Sequence, residues 1–245
     1  MACFRPLSAF QREDGSITFV ERGRIRRLLT LPCGQCIGCR LERSRKLAVR
    51  CMHEASLWDG SSFVTLTYSD ENCPTGLHYP DFQKFMKRVR RRFGPIRFFM
   101  CGEYGETNYR PHFHACLFGL FFADRVLHSS GGNIPLYRSP ILEKLWPHGF
   151  ATVGDVTFES AGYCARYVMK KITGPAAEQA YNRVCLSTGE IIRVPPEFCR
   201  MSLKPGIGAP WIRRYHSDVY SFTRDEVVVN GVKTKPPRYY DKELE

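Results

Sequence analysis

The feature that most constrains the fold of this chain is a pair of β-type segments separated by a short polar loop. Residues 95–103 ("PIRFFMCGE") and 112–119 ("HFHACLFG") are rich in aromatic and other apolar residues, and the loop between them, "YGETNYRP", contains Gly, Asn and Pro. Two strands joined by so short a loop form a hairpin, and they must run antiparallel. The chain is therefore predicted to build a sheet around this hairpin.

Strand-like and helix-like segments alternate along residues 61–172. Residues 61–68 ("SSFVTLTY") and 150–158 favour strands because they are rich in β-branched and aromatic residues. The first of these strands places Phe63, Thr65 and Thr67 on one face. Apolar residues recur at helical spacing in four other segments, 39–58, 79–93, 139–146 and 159–172. The order predicts an α+β fold with a mostly antiparallel central β-sheet flanked by helices.

Three regions follow from this order. Residues 1–60 are predicted to form a Cys-rich, basic N-terminal element packed on the core, residues 61–174 the core itself, and residues 175–245 a C-terminal extension packed on the core. Within the extension, "RVCLSTGEIIRV" and "EVVVNGVKT" are typical of hairpins, the second because of its Asn-Gly pair.

The chain carries no pattern typical of export or of membrane insertion. No apolar run reaches the ~18 residues that a membrane span needs, and the first residues, "MACFRPLSAFQRED", lack the apolar stretch of a signal peptide. We therefore expect a soluble, unexported protein with no membrane partner.

The charge of the chain predicts a nucleic-acid partner. The formal net charge is +12, and arginine outnumbers lysine in the three segments that concentrate the excess, "ERGRIRR", "RLERSRKLAVR" and "KRVRRRF". The planar guanidinium group of arginine suits phosphate oxygens, although any one of these side chains could simply be solvated. The side chains expected to contact phosphates are Arg40, Arg43, Arg45, Arg50, Arg88, Arg90, Arg91 and Arg92.

Two histidines of the second hairpin strand are candidate metal ligands. His112 and His114 are two residues apart, so on a strand both imidazoles point to the same face and can approach one cation. Phe113 is expected to point the other way, into the core with Cys116 or Phe118.

A carboxylate completes the predicted ligand set. Glu103 ends the preceding strand, and the hairpin would lay it beside the histidine pair. Glu106 competes for this place but lies in the predicted loop, so Glu103 is favoured. A site with two imidazoles and one carboxylate suits Mg²⁺ or Mn²⁺ and leaves positions open for substrate oxygens.

A tyrosine pair on the last predicted helix is a candidate nucleophile site. In "YCARYVMKK", Tyr163 and Tyr167 are four residues apart and Lys170 is three further on, so all three project from one helix face. Such a stripe is normally part of a core, but an unpaired buried ammonium group is costly. A nearby Lys⁺ favours the phenolate, and a phenolate that attacks a phosphodiester gives a covalent phosphotyrosine.

Three closely spaced cysteines predict either a tight turn packed by reduced thiols or a structural Zn²⁺ site. "CGQCIGC" contains Cys33, Cys36 and Cys39, and thiolates at this spacing are typical zinc ligands. Cys3 is the expected fourth ligand if the N-terminus folds back as a β-ribbon. The alternative, Cys51, would lie three helical turns past Cys39, which is ~18 Å of rise.

Taken in order, these motifs resemble those of a known family. "PHFHACLFG" resembles the His-hydrophobe-His motif of the HUH endonucleases, "FVTLTY" their first motif, and "YCARYVMKK" the two-tyrosine form of their third motif. Longer stretches, among them "PCGQCIGCRLERSRKLAVRCMHEA" and "RFFMCGEYGETNYRPHFHACLFG", resemble the replication initiation proteins of gokushoviruses, small single-stranded DNA phages of the microvirus group. The resemblance spans most of residues 1–210.

The resemblance implies a rolling-circle replication initiator with an HUH nuclease core, acting in the host bacterial cytoplasm. In such a protein one tyrosine becomes joined to the 5′ phosphate at the origin, and the freed 3′ hydroxyl primes synthesis. The second tyrosine later takes part in closing the circle. Under this resemblance the metal ligands are His112, His114 and Glu103, the nucleophiles are Tyr163 and Tyr167, and the supporting cation is Lys170.

Two other functions stay open from the residues themselves. One is a metal-dependent nuclease that uses water as the nucleophile, and the other is a non-catalytic, zinc-containing nucleic-acid-binding protein. The chain has no G-x-x-x-x-G-K-[ST] sequence, so the expected partners are single-stranded and origin DNA, with a host helicase and polymerase. Because both tyrosines lie on one helix, we expect an active monomer.

Overall fold

The computed structural model of the protein describes residues 3–105, 108–129, 135–170, 172, 174, 176–184, 188–222 and 224–245, apart from the side chains of 168–170. The chain divides into two compact units, Met1–Arg45 and Lys46–Glu245. Among the described residues, no helix combines the length and the apolar character that a membrane span requires.

The first unit is built on a small antiparallel sheet. In its described part the strands are β1 (Leu7–Arg12), β2 (Ile17–Thr18) and β3 (Ile25–Leu31), in the order β2-β1-β3. The N-terminus therefore folds back as a β-ribbon, with Leu7 paired to Leu31. Helix α1 (Ile37–Ala55) begins in this unit and ends in the second.

A larger antiparallel sheet is the centre of the second unit. Its core strands are β4 (Ser61–Tyr68), β5 (Arg97–Tyr104), β6 (Pro111–Phe118), β7 (Val126–Ser129), β8 (Leu136–Arg138) and β9 (Gly149–Asp155). A seventh described strand, β12 (Phe198–Met201), pairs with β5, and the order is β12-β5-β6-β4-β9-β8-β7. The predicted α+β fold and its β5–β6 hairpin are confirmed.

The predicted core helices are also present, as α2 (Tyr79–Phe93), α3 (Pro140–Leu145) and α4 (Phe158–Lys170). Ser139 caps α3 by accepting a hydrogen bond from the Leu142 N–H at 3.1 Å. The strand predicted for 150–158 ends at Asp155 instead, because Thr157 and Ser160 exchange N–H···Oγ bonds of 2.8 and 3.1 Å that start α4.

The central sheet buries both of its faces. On one face, α2 and α3 pack on residues such as Leu66 and Phe113. On the other face, α4 and the second half of α1 pack on Cys116 and Phe118. The expectation that Phe113 shares a core with Cys116 or Phe118 is wrong, because residues an odd number apart on a strand point to opposite faces.

The C-terminal region adds short elements, which are α5 (Ala176–Tyr181), β10 (Asn182–Val184), β11 (Ile191–Arg193), α6 (Ala209–Val219), β13 (Val227–Val229), β14 (Val232–Thr234) and α7 (Arg238–Leu244). Both predicted hairpins are confirmed, as β10–β11 and β13–β14. The second turns at Asn230 and Gly231, whose φ values of 50° and 76° suit a type I′ turn. A third apolar cluster includes Val49, Ile212 and Tyr240.

A buried ion pair joins three parts of the second unit. The fully buried Glu54 carboxylate accepts hydrogen bonds from Arg97 Nε at 2.5 Å and from the Gly208 N–H at 2.8 Å. Arg97 also donates to the Gly206 carbonyl at 3.0 Å. The pair therefore fastens α1 and β5 to the segment that leads into α6.

We expect Glu54→Gln to lower the free energy of unfolding by about 3–5 kcal/mol, because it leaves the guanidinium charge of Arg97 uncompensated in the interior. The matched control is Glu226→Gln, whose partner Lys233 lies 2.8 Å away but is mostly exposed, and we expect that change to cost at most about 1 kcal/mol. Urea unfolding of both variants measures the difference. Equal losses would contradict a structural role for the buried pair.

Candidate active site

The register of the β5–β6 hairpin sets the geometry of the site. Glu103 on β5 pairs directly with His112 on β6. On the other side of β6, Thr67 pairs with His112 and Thr65 pairs with His114. Directly paired residues share a face, so these side chains occupy one face of the sheet, the face on which α4 packs.

His112 is held in the tautomer that suits a metal ligand. Its Nδ1 lies 2.6 Å from the carbonyl oxygen of Arg110. A carbonyl oxygen only accepts hydrogen bonds, so Nδ1 carries the proton and Nε2 keeps its lone pair. Burial lowers the pKa of His112, which further favours the neutral ring.

His114 uses both of its ring nitrogens. Nε2 lies 2.7 Å from Oε1 of the buried Glu103, and Nδ1 lies 2.9 Å from Oγ1 of Thr65. With an ionised carboxylate, Nε2–H donates to Glu103 and Nδ1 accepts from the Thr65 hydroxyl. Thr65 was not among the predicted site residues, although the alternation of its strand had already placed it on the same face as Thr67.

The donor set fits a divalent cation chemically but is not closed around one. Two imidazoles and one carboxylate are ligands that Mg²⁺ or Mn²⁺ accepts. The rings of His112 and His114 are parallel, with centroids 6.3 Å apart. Within the described part of the chain, His112, His114 and Glu103 are not a group whose ligand atoms all lie within 4.8 Å of one another. Glu106, the competing carboxylate, lies outside the described residues.

Helix α4 presents both tyrosines to the histidine face. The ring centroids of Tyr163 and Tyr167 lie 5.1 and 5.6 Å from that of His114. The two tyrosine rings are 4.7 Å apart. Lys170 is the last residue of α4, and its side chain lies outside the described part of the structure.

The two tyrosines differ in their surroundings. Tyr163 is 36% exposed, whereas Tyr167 is 5% exposed. Burial raises the pKa of Tyr167, and hydrogen bonds with Tyr163 and the Glu103 carboxylate raise it further. Tyr167 is therefore a neutral phenol near pH 7, and Tyr163 is the side chain of the pair that a substrate reaches from solvent.

The arginines predicted on α2 lie across the sheet from this site, because α2 packs on the face that holds Phe113. Arg88 donates to the Leu145 carbonyl at 2.8 Å and Arg90 to the Ile96 carbonyl at 3.1 Å. These two side chains therefore brace the backbone. The next two along the helix, Arg91 and Arg92, are exposed.

The arginines predicted on α1 are also divided in their surroundings. Arg50 donates to the Ile207 carbonyl at 2.9 Å, and its guanidinium lies 3.6 Å from the centre of the Tyr239 ring. Arg45 pairs with Glu42 at 2.7 Å. Arg40 is half-buried, and Arg43 is exposed. The structure therefore shows structural contacts for several of the predicted phosphate-binding side chains.

The four cysteines predicted as zinc ligands come together in the first unit. The Sγ atoms of Cys3, Cys33, Cys36 and Cys39 all lie within 4.8 Å of one another. The alternative fourth ligand, Cys51, is buried in the core beneath α4.

Comparison with known proteins shows similarity along nearly the whole chain. The replication-associated protein VP4 of Bdellovibrio phage phiMH2K is 33% identical over 257 aligned residues, covering 98% of this chain and 76% of the relative. The replication-associated protein ORF2 of Spiroplasma virus 4 is 30% identical over 275 residues, covering 100% and 81%. The replication-associated protein ORF4 of Chlamydia phage 1 is 35% identical over 152 residues, covering 58% and 38%.

A family model for replication-associated proteins of the ORF2 type matches residues 61–172, the segment that contains the β5–β6 hairpin and α4. No solved structure matches the chain. The fold and these relatives define the class as phage replication proteins. The chain belongs to the ORF2 family of replication-associated proteins, and the resemblance to the gokushovirus type is confirmed.

Proposed function

We propose that this protein initiates rolling-circle replication as a site-specific single-strand DNA endonuclease and strand transferase. The observation that carries the proposal is the packing of Tyr163 and Tyr167 against His114, on the face that His112 and Glu103 share. Membership in a family of phage replication proteins supports DNA as the substrate.

His112, His114 and Glu103 would hold a divalent cation, Mg²⁺ or Mn²⁺. When bound, such an ion draws negative charge from the non-bridging oxygens of the phosphate. The chain orients two of these ligands through their neighbours, since the Arg110 carbonyl fixes the His112 ring and the Thr65 hydroxyl fixes the His114 ring.

Tyr163 would make the first attack because it is the exposed member of the pair. Its hydroxyl oxygen forms a bond to the scissile phosphorus, and the bond from phosphorus to the 3′ oxygen breaks. The 5′ phosphate stays on Tyr163, and the phenol proton is delivered in net to the leaving 3′ oxygen. Tyr167 hydrogen-bonds with both Tyr163 and Glu103, which gives this proton a path out of the phenol.

Tyr167 would act in the second transfer. Its ring is 4.7 Å from that of Tyr163, so one helix carries both nucleophiles and a single copy of the chain suffices. Tyr167 attacks the regenerated origin, and the newly freed 3′ hydroxyl attacks the phosphate on Tyr163 and closes the circle. A host helicase and polymerase would supply unwinding and synthesis, and exposed arginines such as Arg43, Arg91 and Arg92 would contact the DNA backbone.

The class of reaction is tested by incubating the protein with single-stranded origin DNA and Mn²⁺ and then denaturing the mixture. We expect DNA covalently joined to protein, and no such adduct from the Tyr163→Phe, Tyr167→Phe double variant. The control is Tyr109→Phe, an exposed tyrosine away from α4. Cut but unjoined DNA would instead indicate a nuclease that uses water, and intact DNA a non-catalytic binding protein.

The order of the tyrosines is tested with the single variants. We expect Tyr163→Phe to slow formation of the first adduct by about 1,000-fold or more, as for loss of a nucleophile. Tyr167→Phe should form the first adduct within a few-fold of the wild-type rate but should release no closed circles. A gel time course of adduct and circle measures both. The opposite assignment of the two defects would overturn the order proposed from exposure.

A further inference from the structure

The four clustered cysteines have the spacing of a tetrahedral metal site. Cys3 Sγ lies 3.5 Å from Cys33 Sγ and 3.7 Å from Cys36 Sγ. A tetrahedral zinc ion with ~2.3 Å bonds to sulfur separates its ligand atoms by about 3.8 Å. The sulfur positions therefore match the edges of such a tetrahedron.

The fold of the first unit explains how distant cysteines meet. Pairing of Leu7 with Leu31 brings the segment before β1 next to the segment after β3. Gly34, at a φ of 74°, turns the chain just after Cys33. Cys36 then accepts the first backbone hydrogen bond of α1, from Arg40 at 3.0 Å. Cys39 follows in the first turn of that helix.

Backbone N–H groups point at these sulfur atoms. The N–H of Cys33 donates to Cys3 Sγ at 3.3 Å, the N–H of Cys36 donates to Cys33 Sγ at 3.3 Å, and the N–H of Phe4 donates to Cys36 Sγ at 3.4 Å. Donors of this kind favour the thiolate form that binds a metal.

The first unit also has little else to stabilise it. Among its described residues, Ala9 is the one buried hydrophobic residue, while Ile17, Phe19 and Leu28 are more than half exposed. A unit this small obtains little stability from an apolar core and is usually held by a metal or disulfides.

We propose that Cys3, Cys33, Cys36 and Cys39 bind one structural Zn²⁺ ion. Four protein ligands leave no open position, so this ion would hold the first unit together and would not take part in DNA cleavage. The site is independent of the proposed nicking reaction, and neither proposal depends on the other.

Metal analysis of the full chain, purified without chelator, tests this site. We expect one zinc per chain in the wild type, almost none in Cys36→Ser, and an undiminished content in the control Cys73→Ser, which changes an exposed cysteine that is not a member of the cluster. Wild-type protein without zinc, with iron in its place, or with disulfides among the four cysteines would overturn the proposal.

A second measurement covers the case in which Cys36→Ser does not fold. Removing zinc from the wild-type protein with a chelator should speed amide hydrogen exchange in β1 and β3 while leaving β5 and β6 unchanged. Unchanged exchange in β1 and β3 would overturn the structural role proposed for the ion.

A different observation concerns an exposed aromatic ring beside the histidine pair. Phe150 on β9 is 64% exposed. Thr67 on the neighbouring strand pairs with both Phe150 and His112, so the three side chains form one row across the face that carries the site. Phe150 and His112 are thus two strand spacings apart, about 10 Å.

We infer that Phe150 is a stacking platform for a base of the single-stranded DNA whose phosphate lies at the histidines. This inference rests on the proposed function. An aromatic ring next to a phosphate-binding site suits a base of any sequence, because every base has a π-face. Phe150 would act as a positioning residue and not as a catalytic one.

Anisotropy of a labelled single-stranded oligonucleotide, without divalent cations, measures this contact apart from cleavage. We expect Phe150→Ala to weaken binding by about 5- to 100-fold, as for loss of one stacked base, while Phe150→Trp and the control Phe222→Ala, which alters a fully exposed ring far along the chain, bind as the wild type. Unchanged affinity of Phe150→Ala would overturn the inference. Absence of a covalent adduct in every variant would instead count against the proposed function.

Discussion

The register between β5 and β6 is the constraint on which the rest of the site depends. It sets Glu103 directly across from His112 and leaves both imidazoles on the face that α4 covers. A slip of one residue would turn these side chains to the opposite face, among Phe113 and the α2 core. The short hairpin loop and the burial of both faces hold the register, because each strand has apolar residues that must point to its own core.

The polar site survives in this setting because its groups satisfy one another. Glu103 and His114 are nearly fully buried, and each costs free energy unless it is paired. The carboxylate accepts from His114 Nε2 and has Tyr167 as a further partner, while Thr65 completes the imidazole. The same packing separates the two tyrosines, since it buries Tyr167 and leaves Tyr163 within reach of solvent.

Local patterns predicted much of this arrangement. The 3.6-residue period gave the bounds of α2 without error, and the period of two placed His112 and His114 on one face. The expected β-ribbon brought Cys3 to Cys33, because strand pairing at one end of a ribbon fixes what lies beyond it.

Features that depend on long-range packing were not predictable in this way. The strands β7 and β8 are short and largely exposed, so neither alternation nor apolar runs mark them. The Glu54–Arg97 pair joins residues far apart in the sequence, and each one resembles an ordinary surface charge until the chain folds. Charge clustering also could not tell which sheet face α2 would cover, and so it grouped Arg88 and Arg90 with a DNA surface when both bind backbone carbonyls.

The central claim is spatial: a divalent cation at the histidine pair must face the tyrosines of α4 closely enough for one phosphate to touch both. Anomalous diffraction from a crystal grown with Mn²⁺ tests it most directly. The account predicts a manganese peak bound to His112 and His114, on the side of the sheet where Tyr163 lies. A peak on the α2 side of the sheet, or a manganese ion bound elsewhere with none at these histidines, would contradict it.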